Sequence, residues 1–122
     1  MGRRSRRRSR DREGSAGTPP TTTEYRDDDG NVLVLRDTLS AGTLGQLEDL
    51  DARPAASADD RWQRRVEFLF ERLAVRWEIA GLPLEGQKEL LGRYRMASSD
   101  ERRDVRAALA EHLRERHPDV EV

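Results

Sequence analysis

The segment 59–80, DDRWQRRVEFLFERLAVRWEIA, constrains this chain more than any other stretch. Its apolar residues recur at helical spacing for about six turns. At 100° per residue, Trp62, Val66, Leu69, Phe70, Leu73, Trp77 and Ala80 fall within one arc of about 100°. The spacing predicts a single helix over 59–80 whose core face carries both tryptophans. Ser57 or Asp59 is placed to cap it, and Gly81 followed by Pro83 to end it. The same wheel puts Phe68, Val75 and Ile79 on the opposite side, between an acidic row (Asp60, Glu67, Glu71, Glu78) and an arginine row (Arg61, Arg65, Arg72, Arg76). A helix apolar on two faces is either sandwiched inside its own domain or covered by another chain. Both readings stay open, and Phe68, Val75 and Ile79 are the candidate partner-binding residues.

Around this rod the chain divides into four stretches. Residues 1–23 form a basic tail: seven arginines stand among the first fifteen residues, and after Met1 no apolar side chain larger than alanine offsets the entropy of ordering. Disorder is expected there. Residues 24–58 hold a hairpin, a weak helix and a linker. The hairpin runs from Tyr25 to Arg36 around Asp27-Asp28-Asp29-Gly30-Asn31, since Asp-Gly turns the chain and Val32–Leu35 favours a strand. Leu44, Leu47 and Leu50 mark the helix, about 43–51, which Gly45 weakens. Residues 59–117 form a helical core, with further helices at about 85–95 and 99–116. Ser98 and Glu101 spell a capping box at the start of the last helix, whose buried side is Val105, Ala108, Leu109, His112 and Leu113. Residues 118–122 are a C-terminal tail. The fold class expected is mainly α: a small three- to four-helix domain with a short N-terminal β-hairpin and a disordered Arg-rich tail.

Several function classes are set aside on composition. The chain has no cysteine, which removes disulfides, thiolate metal sites and cysteine nucleophiles. No apolar run approaches the ~20 residues a bilayer requires, and no apolar segment follows the basic start as in a secretion signal; a cytoplasmic location is expected. His112 and His117 are the only histidines, and their spacing of five splays them on a helix, unlike the one-turn pairs of zinc sites. Glu67 with Glu71 and Glu111 with Glu115 share faces but read as solvated surface. No serine elbow and no phosphate-binding glycine loop is present. The expectation is a protein that is not an enzyme, with no catalytic residue, cofactor or metal.

The stretch from Trp77 to Leu113 carries a resemblance. An apolar helix ends in Trp-x-x-x-Gly-Leu-Pro-Leu (Trp77 to Leu84), a short leucine-bearing helix follows, and Ser98-Ser99-Asp100-Glu101 opens a last amphipathic helix. This resembles the tail assembly chaperones of long-tailed bacteriophages, in particular small ones from phages or prophages of actinobacteria. The likeness covers about residues 30–117; the Arg-rich first fifteen residues depart from the pattern. It implies a non-catalytic protein that coats the tape measure protein and keeps it soluble until tail tube protein replaces it. Self-association is a further expectation, and membrane contact is not expected. No binding residue carries over from the motif; Phe68, Val75 and Ile79 come from the wheel alone.

The alternative is a small helical nucleic-acid-binding regulator that uses the Arg-rich arm, whose phosphate contacts would make binding salt-dependent. Against it, residues 16–122 hold 16 Lys+Arg and 22 Asp+Glu, a net of 16 − 22 = −6, where a DNA binder presents a basic footprint.

Overall fold

The computed structural model describes residues 21–120 and 122. Most of the expected disordered tail therefore lies outside the described residues, although a strand begins at Thr22, inside the stretch 1–23. The elements in chain order are β1 (Thr22–Arg26), β2 (Val32–Arg36), α1 (Ala41–Ala52), α2 (Ala58–Leu73), β3 (Ala74–Ile79), β4 (Leu82–Glu85), α3 (Gln87–Arg95) and α4 (Ser99–Arg116). The four strands form one antiparallel sheet in the order β1-β2-β3-β4. The mainly-α expectation is thereby corrected: this is a mixed α/β fold, with four helices and a four-stranded antiparallel sheet among the described residues.

The correction centres on residues 59–80. Helix α2 stops at Leu73, and the next six residues are extended. Val75-Arg76-Trp77-Glu78-Ile79 alternates apolar and polar, which is the period of a half-buried strand. Ala80 and Gly81, at φ 53° and 79°, then make a two-residue turn in the left-handed conformation that matches the twist of a tight hairpin. Gly81 thus turns a hairpin; it does not close a helix. Leu82–Glu85, expected to be a turn running into a helix at about 85–95, is instead the outer strand of that hairpin. Pro83 is tolerated there because an edge strand leaves backbone donors unpaired.

Cross-strand register explains the sheet's two faces. Tyr25, Leu33, Trp77 and Leu84 pair in one row across all four strands, and Leu35 pairs with Ala74 in the next. This face belongs to the core, together with Leu69, Phe70 and Leu73 of α2, Leu90 and Tyr94 of α3, and Leu109 and Leu113 of α4. The rows between them place Glu24, Val34, Arg76 and Glu85 together, then Arg26, Val32, Glu78 and Pro83. Charged side chains are confined to this second face, where they stand among Val34, Pro83 and the buried Val32, while the first face is the one built into the main core. Between Val34–Leu35 and Ala74–Arg76 the register slips by one residue, leaving Val75 as a β-bulge.

Serine caps open three of the described helices, of which the sequence pattern points to Ser57 and Ser98. The Ser40 side chain accepts from the Thr43 N–H, Ser57 from Asp60, and Ser98 from Glu101, whose carboxylate in turn accepts from the Ser98 N–H. The last of these is the expected capping box. Glu101 lies below its ordinary pKa, held there chiefly by the Ser98 backbone N–H and then by Arg93.

Two of the polar links that tie the first hairpin to the rest run through buried side chains, His112 and Asn31. His112, fully enclosed on α4, meets the Arg36 carbonyl through Nε2 at 2.6 Å and the Tyr25 hydroxyl through Nδ1 at 2.9 Å. A carbonyl only accepts, so in the neutral ring Nε2 carries the proton and Tyr25 donates to Nδ1. Burial, reinforced by Glu115, holds the Tyr25 phenol above its ordinary pKa, which keeps it a neutral donor. Asn31 makes the second link: its Nδ2 donates to Asp27, and its Oδ1 accepts from the Ala80 N–H at 3.0 Å, joining the tips of both hairpins.

Candidate interaction site

The three residues read as partner-binding do not share a helical face. Phe68 sits on α2, half-buried against the core, with the Arg72 guanidinium 5.0 Å above its ring. Val75 is the bulge residue of β3 and lines a small cavity with Arg72, Gly86 and Gln87. Ile79, near the end of β3, is half-buried and leans on the core. The second apolar stripe of the long helix was produced by winding a strand on a helical wheel. The three residues therefore do not form one stripe on a helix.

A different surface has the make-up of a binding site. It is a groove of 420 Å³ between α2, α3 and α4, lined by Trp62, Gln63, Val66, Glu67, Tyr94, Arg95, Arg102 and Arg106. Helical spacing builds each wall. Trp62 and Val66 are one turn apart on α2, Arg102 and Arg106 one turn apart on α4, and Tyr94 and Arg95 close α3. Val66 and Tyr94 are buried and form the floor, and Tyr94 is held by stacking on Phe70 with centroids 5.0 Å apart. Trp62, placed on the core stripe by the sequence pattern, is instead 38% exposed on the groove wall. The Arg106 guanidinium lies 5.2 Å from its ring centroid, a cation–π contact that orders both side chains.

The groove is electropositive. Three guanidiniums face one carboxylate, a local balance of 3 − 1 = +2. That carboxylate, Glu67, accepts from Nε and Nη2 of Arg95 at 3.0 and 2.7 Å, and this hydrogen bonding keeps Arg95 above its ordinary pKa. Arg102 donates through Nη1 to the Ala97 carbonyl at 3.1 Å, which fixes its guanidinium against the α3–α4 turn. Trp, Tyr and Arg are the residues over-represented at protein interfaces and among their energetic hot spots. The sequence carried a partial signal of this groove, the one-turn Arg102–Arg106 pair. What was missed is the meeting of three helices that raises Trp62 out of the core.

Other polar groups are spent on structure. A second cleft, of 240 Å³ between the first hairpin and α4, contains Asp27, Asp28, Glu101, Asp104 and Glu111. Two of these are already committed, Asp27 to the turn and Asn31, and Glu101 to its cap. His112 uses both ring nitrogens inside the fold. Among the described residues no group of three or more His, Cys, Asp or Glu could hold a metal ion, and no helix is long and apolar enough to cross a membrane. No family model matches the chain, and neither a curated protein nor a solved structure matches it.

Proposed function

We propose that this chain is a non-enzymatic tail assembly chaperone of a long-tailed bacteriophage, acting in the host cytoplasm to bind and solubilise the tape measure protein before the tail tube protein replaces it. The reading is supported by the likeness in sequence of the Trp77–Leu113 segment to such chaperones, although Trp77–Leu84 is a β-hairpin here and not the end of a helix. The observation that carries its binding role is the groove holding a 38% exposed tryptophan beneath an arginine. A helical groove with one aromatic anchor suits a client that must be held and later released, because hot-spot contacts are few and the rest of the surface adds little affinity.

The test is co-expression with a long helical tape measure protein. The client should copurify in soluble form with the wild-type chain, and its soluble fraction should fall with Trp62→Ala. Unchanged client solubility in the absence of the chaperone would refute the reading. The alternative, nucleic-acid binding through the arginine-rich arm, predicts retardation of DNA or RNA at low salt that disappears when residues 1–15 are removed.

A further inference from the structure

We propose that the Trp62–Arg106 groove recognises an acidic helical segment of its client, one that presents carboxylates a single turn apart and sets an apolar side chain over Trp62. The proposal rests on the chaperone reading for who the client is, and on the groove alone for the client's chemistry.

Three observations point to that chemistry. Arg102 and Arg106 stand four residues apart on α4, a rise of about 6 Å, which is also the separation of carboxylates at positions i and i+4 on a facing helix. Both arginines are held at the guanidinium, Arg102 by an Nη1 bond to the Ala97 carbonyl and Arg106 by the Trp62 ring, so little side-chain freedom remains to be lost on binding, and the remaining N–H donors are the ones left for a carboxylate. Finally, the groove already holds one carboxylate from the chain itself. Glu67 lies against the Arg95 fork through two donors, which shows that a carboxylate is sterically and electrostatically accommodated there. Between Arg95 and the Arg102–Arg106 pair, the exposed edge of Trp62 and the buried Val66 and Tyr94 offer an apolar seat.

A polyphosphate chain suits this surface less well. Arginine beside aromatic rings is also the grammar of single-strand binding, but residues 16–122 carry six more acids than bases. A long polyanion meets that excess along its whole length, whereas a short acidic helix meets only the local field within one Debye length, about 8–10 Å. A continuous basic track is also required to follow a nucleic acid backbone, and the three arginines are confined to one groove.

The experiment uses the full chain and follows tryptophan fluorescence. Trp77 is 3% exposed, so its signal is a constant background and Trp62 reports on the groove. The probe is a helical peptide of Glu, Leu and Ala with glutamates paired at i and i+4. Its controls are the same peptide with every Glu replaced by Gln, and an oligothymidylate. The Glu peptide should shift the Trp62 emission, with affinity falling as salt rises. The Gln peptide should bind about tenfold or more weakly, as loss of charge-assisted hydrogen bonds requires. Arg102→Gln with Arg106→Gln should weaken the Glu peptide to the level of the Gln peptide while the circular dichroism spectrum is unchanged. Glu67→Gln should tighten binding, because it releases Arg95 from its internal partner. Equal binding of Glu and Gln peptides, preference for oligothymidylate, or a Glu67→Gln variant that binds the acidic peptide more weakly would each overturn the proposal. If the tape measure protein copurifies yet the acidic peptide does not bind, the proposal fails while the chaperone reading stands. If the peptide binds as described and the client does not copurify, the recognition chemistry stands and the chaperone reading fails.

Discussion

Ala80 holds a backbone conformation that side chains with a Cβ rarely adopt, φ 53°, in the turn joining β3 to β4. The conformation is held from outside by Asn31, whose amide oxygen accepts from the Ala80 N–H. Ala80→Gly removes the steric penalty and should stabilise the fold by about 0.5–1 kcal/mol. Asn31→Ala leaves both the Ala80 donor and Asp27 short of a partner and should cost about 1–3 kcal/mol. Urea unfolding midpoints decide both. The two tryptophans make a sharper contrast. Trp77→Ala removes a ring that is 3% exposed and packed edge-on against Phe70, a loss of about 3–5 kcal/mol. Trp62→Ala, at 38% exposure, should cost less than about 1.5 kcal/mol. Similar losses at both positions would mean that Trp62 belongs to the core.

At the scale of elements, what the sequence made legible was governed by neighbours within one or two turns. The starts of α2 and α4 were readable because Ser57 and Ser98 each satisfy an N–H three residues on, whereas α1, expected from about 43, starts at Ala41 behind the Ser40 cap. The capping box also supplies a pH test. The folded-state pKa of Glu101 is depressed, so its contribution is fully present above the unfolded value, about 4.3, and is lost as pH falls through the lower folded value. Glu101→Gln should flatten that acid limb in thermal melts taken from pH 6 downward; an identical limb in the variant would show that other carboxylates govern it. The misread element was β3. Trp77 follows Leu73 by four residues and Val75 by two, so it satisfies the helical and the extended period at once. Local pattern cannot choose between them, and the run of good helix formers upstream tilts the choice toward helix. The partner that decides lies some forty residues earlier, in Val32–Leu35.

For the whole molecule, the sheet makes the two halves of the chain interdependent. Leu33 and Leu35 of the first hairpin are almost fully enclosed, and they pair with Trp77 and Ala74 from the region expected to be a self-contained helical core. A fragment of residues 59–117 should therefore fail to fold, since β3 would keep only the short edge strand β4 as a partner and the core would lose both leucines. Residues 21–122 should unfold in a single cooperative transition. Near-ultraviolet circular dichroism of Trp77 checks this, and a native-like signal from the shorter fragment would show that the hairpin is dispensable. The sequence by itself determined what depends on short-range bonding: the turn after Arg26, the caps of α2 and α4, the extent of α4 and the burial of His112. Tertiary structure alone decided that residues 74–79 are extended, that Trp62 faces outward beneath Arg106, and that Arg95 of α3 lines the same groove. The reason is physical. A cap or turn is satisfied by atoms a few bonds away, whereas a strand's hydrogen bonds and a groove's walls come from segments that only the folded chain brings together.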